Sequence, residues 1–143
     1  MKIRLAFAVN RAEVFEQKHF GEAEKFLIYK WEANQLVFQQ AIENPLVQTP
    51  LERHSPEKAE LLISLLKEQG INILVSKQFG KNIKRVNALF VPVQVGTSSP
   101  DELFPILKKQ MRWIEEELLQ NAGNYKLFNL QKGTIKTAVN SKN

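Results

Sequence analysis

Two histidines are the only imidazoles in this chain of 143 residues, and both stand beside residues that suit ligand binding. His19 opens the triplet His19-Phe20-Gly21, and His54 immediately precedes Ser55-Pro56-Glu57. A second glycine-bearing stretch, Phe79-Gly80-Lys81-Asn82, has Lys77, Lys84 and Arg85 around it. An imidazole can ligate a metal through either ring nitrogen. Backbone N–H groups beside glycines, a helix N-terminus and lysines suit an anion. Plainer uses exist for each residue. A lone loop histidine is more often a surface or hydrogen-bonded residue, and Phe20 and Phe79 can be lids on the core. Gly21 and Gly80 can serve tight turns, and the cations between 77 and 85 can form one solvated face.

Several chemistries are excluded by what the chain lacks. It has no cysteine, which removes disulfides, thiolate zinc sites and permanently Cys-ligated iron–sulfur clusters. A two-metal nuclease needs several carboxylates, yet Met1 to Val9 contains none and Asp101 is the only aspartate. There is no G-x-S-x-G, P-loop, HExxH or dinucleotide fingerprint. These absences point to a binding or carrier protein rather than an enzyme. No segment approaches the roughly 20 apolar residues of a membrane span. The apolar start is broken by Arg4 and Asn10-Arg11 with no cleavage site, so a cytoplasmic protein is expected. The net charge of +5 is uneven: all 15 acids lie at or before Glu117, whereas residues 124–143 carry Lys126, Lys132, Lys136, Lys142 and no acid. Such a tail is usually a solvated extension. With only Tyr125 and Phe128 interleaved among its lysines, nucleic-acid binding is disfavoured.

The elements that must position these residues follow from pattern. Ile3, Leu5, Phe7 and Val9 alternate with small Ala6 and Ala8, which marks a buried strand. Phe26 to Trp31 and Leu36 to Ile42, joined by Ala33-Asn34, read as a hairpin. Ser55-Pro56-Glu57 opens a helix that Gly70 closes, with Ala59, Leu62, Ile63 and Leu66 as its buried stripe. Ile71 to Val75 is a strand, a brief helix follows near 81–87, and Leu89 to Val95 is a strand whose Pro92 belongs at a sheet edge. Ser99-Pro100-Asp101-Glu102 is a capping box for a helix over 100–120, in which Pro105 should disturb the first turns. The expected α/β fold is a five-stranded mixed sheet of order 3-2-1-4-5, strand two antiparallel, flanked by helices, which is a ribonuclease H-like layout. It makes one domain over 1–122 with a basic C-terminal extension, 123–143, in which Tyr125 to Val139 can form a small hairpin around Lys132-Gly133. Strands one and four are parallel neighbours whose connections diverge, so a crevice opens at their carboxyl ends. Loop 10–24, loop 76–82 and the helix start at Ser55 share that rim.

The stretch from His19-Phe20-Gly21 through Phe26 to Ile28-Tyr29 resembles the H-F-G-x-x-x-x-F-x-I-Y signature of the dinitrogenase iron-molybdenum cofactor biosynthesis family. That family includes carriers of the nitrogenase metallocluster and small stand-alone homologues. The resemblance implies a ribonuclease H-like fold and, for a cluster-carrying member, His19 as the metal ligand. It also implies an iron–sulfur or iron-molybdenum type cluster bound transiently, and a metallocluster donor or acceptor protein as partner. Cluster-binding positions would be His19, Phe20, Gly21, Phe79, Gly80, Lys81 and Asn82. After the fourth strand the family tends toward a G-x-M-G-like turn, whereas Ser76-Lys77-Gln78-Phe79-Gly80 keeps one glycine, and residues 124–143 extend beyond the similarity. A protein-interaction module without a metal, or a weak anion or nucleic-acid binder through the tail, are the alternatives.

Overall fold

A computed structural model describes residues 2–47, 56–131 and 135–139, with Asn82 through its backbone alone. His54, Ser55 and the Lys132-Gly133 turn lie outside the described residues, so the helix-start segment of the expected rim and the tail turn are not placed. The first strand, β1 (Ile3–Val9), is central. It pairs antiparallel with β2 (Lys25–Glu32) on one side and parallel with β4 (Ile73–Ser76) on the other. β3 (Gln35–Glu43) returns from β2 through Ala33 and Asn34, both at positive φ (51° and 60°), the two-residue turn whose twist matches a hairpin. Halfway along this pair the register slips: Tyr29 faces Phe38 but Ile28 faces Gln40, leaving Gln39 as the extra residue of a bulge.

The order 3-2-1-4-5 holds, but the sheet does not stop there. Among the described residues it has seven strands, β3-β2-β1-β4-β5-β6-β7, so the expectation of five strands with the fifth at an edge is corrected. β5 (Val91–Gln94) is covered by β6 (Leu127–Asn129), which pairs antiparallel with β7 (Ile135–Thr137). Pro92 tolerates an inner strand for a simple reason. The N–H groups of Val91 and Val95 donate to Asn72 and Ser76 on the β4 side, so alternation turns the proline nitrogen the other way. There β6 pairs only with Val93 and Gln94, and no ladder bond is asked of it.

The period-2 pattern of β1 sorts the two cores. Leu5, Phe7 and Val9 pack with Val91, Val93 and the stripe Leu103, Leu107, Met111 and Ile114 of α3 (Pro100–Gln120). Ala6 and Ala8 face the other layer, where α1 (Pro56–Glu68) lays Leu62 and Leu66 against Phe26, Ile28 and Leu74. The small side chains leave room for that helix. Ser99 caps α3 as expected: its Oγ accepts the Glu102 N–H at 3.3 Å, while Glu102 Oε1 accepts the Ser99 N–H at 3.2 Å. Pro105 does not end this helix, because it sits on the exposed face where the carbonyl it leaves unbonded meets water. The short helix α2 (Ile83–Val86) follows a 3-10 turn, Gly80–Asn82. No helix among the described residues is long and apolar enough to cross a membrane.

Candidate functional site

At the carboxyl end of β1 the chain must leave the sheet and return to β2, and polar residues shape that loop. Asn10 Oδ1 accepts the Ala12 and Val14 N–H groups at 2.9 and 3.3 Å, a local turn that favours asparagine there. Phe15 then drops into the core, 5.7 Å from the Phe7 ring, and its N–H donates to Ser98 O. At the end of β4, fully buried Ser76 donates its Oγ–H to Gln78 O at 2.9 Å and bends the chain toward the first loop.

The two loops meet. His19 and Gln78 form a parallel bridge, the Phe20 N–H donates to Gln78 O at 2.9 Å, and Gln78 Nε2 donates to Gln17 O at 3.0 Å. Beneath this seam the Phe20 and Phe79 rings pack 5.7 Å apart, 3% and 6% exposed. Burying a phenylalanine stabilises by about 1.5–3 kcal/mol. These two rings therefore hold the loops down onto the core. Their main role is as lids, the plainer of the two uses read from the sequence.

His19 has a specific seat. Gly80 is at φ +74°, a conformation that suits glycine, and a Cβ built there would lie 2.5 Å from His19 Nδ1 and 2.8 Å from Cγ and Cε1. The imidazole thus rests against an α-carbon that must stay bare. Its Nδ1 also lies 3.7 Å from Glu22 Oε1, a carboxylate that is mostly buried one turn along. Gly21, by contrast, would bring a Cβ only to 3.7 Å from Leu62, an ordinary contact, so that position does not need glycine for space.

His19 and Gly80 open onto a groove of about 710 Å³ at the carboxyl ends of β4 and β5. Gln17, Lys77 and Gln78 line the same side, and Gln94, Val95 and Gly96 form the floor. The far side comes from the tail: Gln131, Thr137, Ala138 and Val139. Among the described residues no aspartate or glutamate lines it. Of the expected positions, His19, Phe79 and Gly80 line the groove, whereas Phe20 and Gly21 do not. Lys81 is exposed and is not a lining residue; Asn82 contributes backbone to the turn after Gly80. Arg85 is engaged by Glu60 at 2.8 Å. Among the described residues no group of three or more His, Asp or Glu is placed to hold a metal ion.

The tail wall is built rather than loose: β6 and β7 pair antiparallel, as the hairpin expected there requires, whereas the reading of the tail as a solvated extension is corrected. Tyr125, Phe128 and Leu130 are buried in the core with α3, so this part of the chain is not a solvated arm. Glu117 of α3 is fully buried; it accepts Lys136 Nζ at 2.8 Å, the Lys126 N–H at 2.8 Å and Asn121 Nδ2 at 2.9 Å. Lys136 also lies 5.7 Å from the centres of the Trp113 and Phe128 rings. Burial alone would raise the Glu117 carboxyl, but these hydrogen bonds and the Lys136 charge hold it below its ordinary value. A lone acid facing a lysine-rich tail was the available signal, but Glu115, Glu116 and Glu117 are indistinguishable by composition.

No curated protein is a significant match to the chain. A family model does match, described as dinitrogenase iron-molybdenum cofactor, over residues 1–99. The matched part contains β1 to β5, the His19 loop and the Gly80 turn, and it ends just before α3. With well over half of its length in that match, the chain belongs to the dinitrogenase iron-molybdenum cofactor family.

Proposed function

We propose that this protein is a non-catalytic carrier that receives an anionic iron–sulfur or iron-molybdenum type cluster as cargo in the groove and passes it between a donor and an acceptor protein. The observation that carries this reading is the seat of His19: one imidazole, pressed against Gly80, at the mouth of a cavity lined by Lys77 and, among the described residues, by no carboxylate. The donor set suits such cargo better than a bare divalent cation. A cation of that kind wants several His, Asp or Glu ligands, and none of the described residues form such a group. A cluster brings its own sulfide bridges and negative charge, and needs from the protein one nitrogen donor, a positive field and space. Few strong ligands also permit release, which delivery requires.

The test is anaerobic incubation with a synthetic thiolate-ligated iron–sulfur cluster, followed by desalting and assay of protein-bound iron and of the visible cluster absorption. Wild type should retain iron, and His19→Ala should lose most of it while melting close to wild type. Equal iron in both proteins would end the proposal that His19 is the ligand.

A further inference from the structure

About a third of the residues lining the groove come from a part of the chain that the family match does not reach. β6, β7 and the residues after them lie beyond residue 99, yet Gln131, Thr137 and Val139 stand on the side opposite His19. What holds that wall in place is unusual. β7 has only three residues, and Ile135 and Thr137 are exposed with Lys136 half-buried between them. A strand that buries so little apolar surface has weakly specified register, and a slip by one residue would turn every side chain to the opposite face. The ion pair resolves the ambiguity. Lys136 Nζ reaches a Glu117 carboxylate that is 0% exposed, in a pocket closed by Trp113 and Phe128, and only one residue of β7 can occupy it. Buried pairs of this sort contribute little net stability, and setting register is their best-attested use.

We propose that the β6–β7 hairpin is the retaining wall of the cargo groove in this protein, and that Glu117 and Lys136 are the residues that position it. The pair does not touch cargo. It sets where Thr137, Ala138 and Val139 stand, and these side chains then close the groove against loss of whatever His19 holds. This inference rests on the carrier reading above, since a wall has consequences only if the groove is occupied.

The test uses the full chain with Glu117→Gln and Lys136→Met combined. The double change removes both charges and keeps two side chains of similar length, whereas either change alone leaves one buried polar group unmatched and risks the fold. Two readouts separate the steps. Amide hydrogen exchange at residues 135–139, with Trp113 fluorescence, reports whether the wall has come loose without any cargo present. Loss of iron after loading with the synthetic thiolate-ligated iron–sulfur cluster reports retention. The expected result is fast exchange in β7 with α3 and β1 still protected, and cluster loss faster by about tenfold or more, because such effects fall mainly on dissociation. Unchanged exchange at 135–139 would overturn the positioning role. A loosened hairpin with wild-type retention would overturn the wall. If wild type itself retains no cluster while His19→Ala behaves identically, the carrier reading fails and takes the retaining role with it. The exchange data would still decide whether Glu117 and Lys136 set the register.

Discussion

Replacing Gly80 by alanine perturbs the seat of His19 by adding a single methyl group to the groove wall. Two costs follow from the geometry. The backbone at φ +74° is left-handed, which costs a non-glycine residue about 1–2 kcal/mol. The new Cβ would also sit 2.5 Å from His19 Nδ1, closer than real carbons come, so the ring must rotate away from its seat. An off-rotamer side chain costs about 0.5–1.5 kcal/mol, bringing the total to about 2–3 kcal/mol. With an unfolding entropy of about 2 cal/mol/K per residue, each kcal/mol lowers the Tm of a domain this size by about 3 °C. Gly80→Ala should therefore melt roughly 5–10 °C below wild type. The steric part can be isolated by making the same change in a His19→Ala background, where only the backbone cost remains. The two changes should then couple by about 0.5–1.5 kcal/mol in a double-mutant cycle followed by circular dichroism. Strictly additive effects, or a Gly80→Ala melting point within error of wild type, would show that His19 does not rest on Gly80. Because the ring loses its orientation, the variant should also retain cluster iron about as poorly as His19→Ala does.

Charge in the groove should be carried by Lys77 and not by Lys81. Lys77→Gln is expected to weaken cluster retention at low salt and to lose that effect at high salt, while Lys81→Gln changes little; equal effects in an iron assay across a salt series would contradict the placement. The tail wall should respond to acid. The folded pKa of Glu117 is held below its ordinary carboxylate value by the Lys136 charge and its hydrogen bonds, so its stabilising contribution is complete above the ordinary value and is lost as pH falls through the lowered one. Trp113 fluorescence should accordingly report hairpin release only in that acid range, and release near pH 6 would refute the assignment.

Much of the positioning scaffold was readable from pattern. The alternation of Ile3, Leu5, Phe7 and Val9 with Ala6 and Ala8 marked a central strand, and Ser99 with Glu102 marked the start of α3, because both signals are local. The meeting of the His19 and Gly80 loops followed from topology: parallel strands β1 and β4 deliver their following loops to the same rim. The precise seat did not follow, since a glycine with positive φ looks the same in sequence whether it serves a turn or a neighbouring ring. The tail was legible only as a hairpin, and its burial escaped for a different reason. Leu127–Asn129 and Ile135–Thr137 are three residues each, too short for a period to show, and Lys136 read as solvated. Lys136 is instead drawn inward by a carboxylate 19 residues away in sequence, a long-range pairing that local propensity does not encode. Pro92 misled as well, because the rule against proline in inner strands applies only where a ladder bond is required.

The bulge at Gln39 bears on what this protein avoids. β3 is a nine-residue edge strand with Val37 and Phe38 exposed and no lysine along it, the kind of border on which other chains can add strands. Before the bulge, Leu36 and Phe38 share a face with Tyr29 and Trp31; after it, that face belongs to Ala41 and Glu43. A regular strand from another molecule keeps strict alternation, so it can match residues 35–38 or residues 40–43 but not both. The single extra residue thus divides a long sticky border into two short ones, each too brief to nucleate a stable foreign pairing. Deleting Gln39 should accordingly leave the hairpin foldable and make the protein prone to aggregate, a solubility cost with no counterpart in the groove.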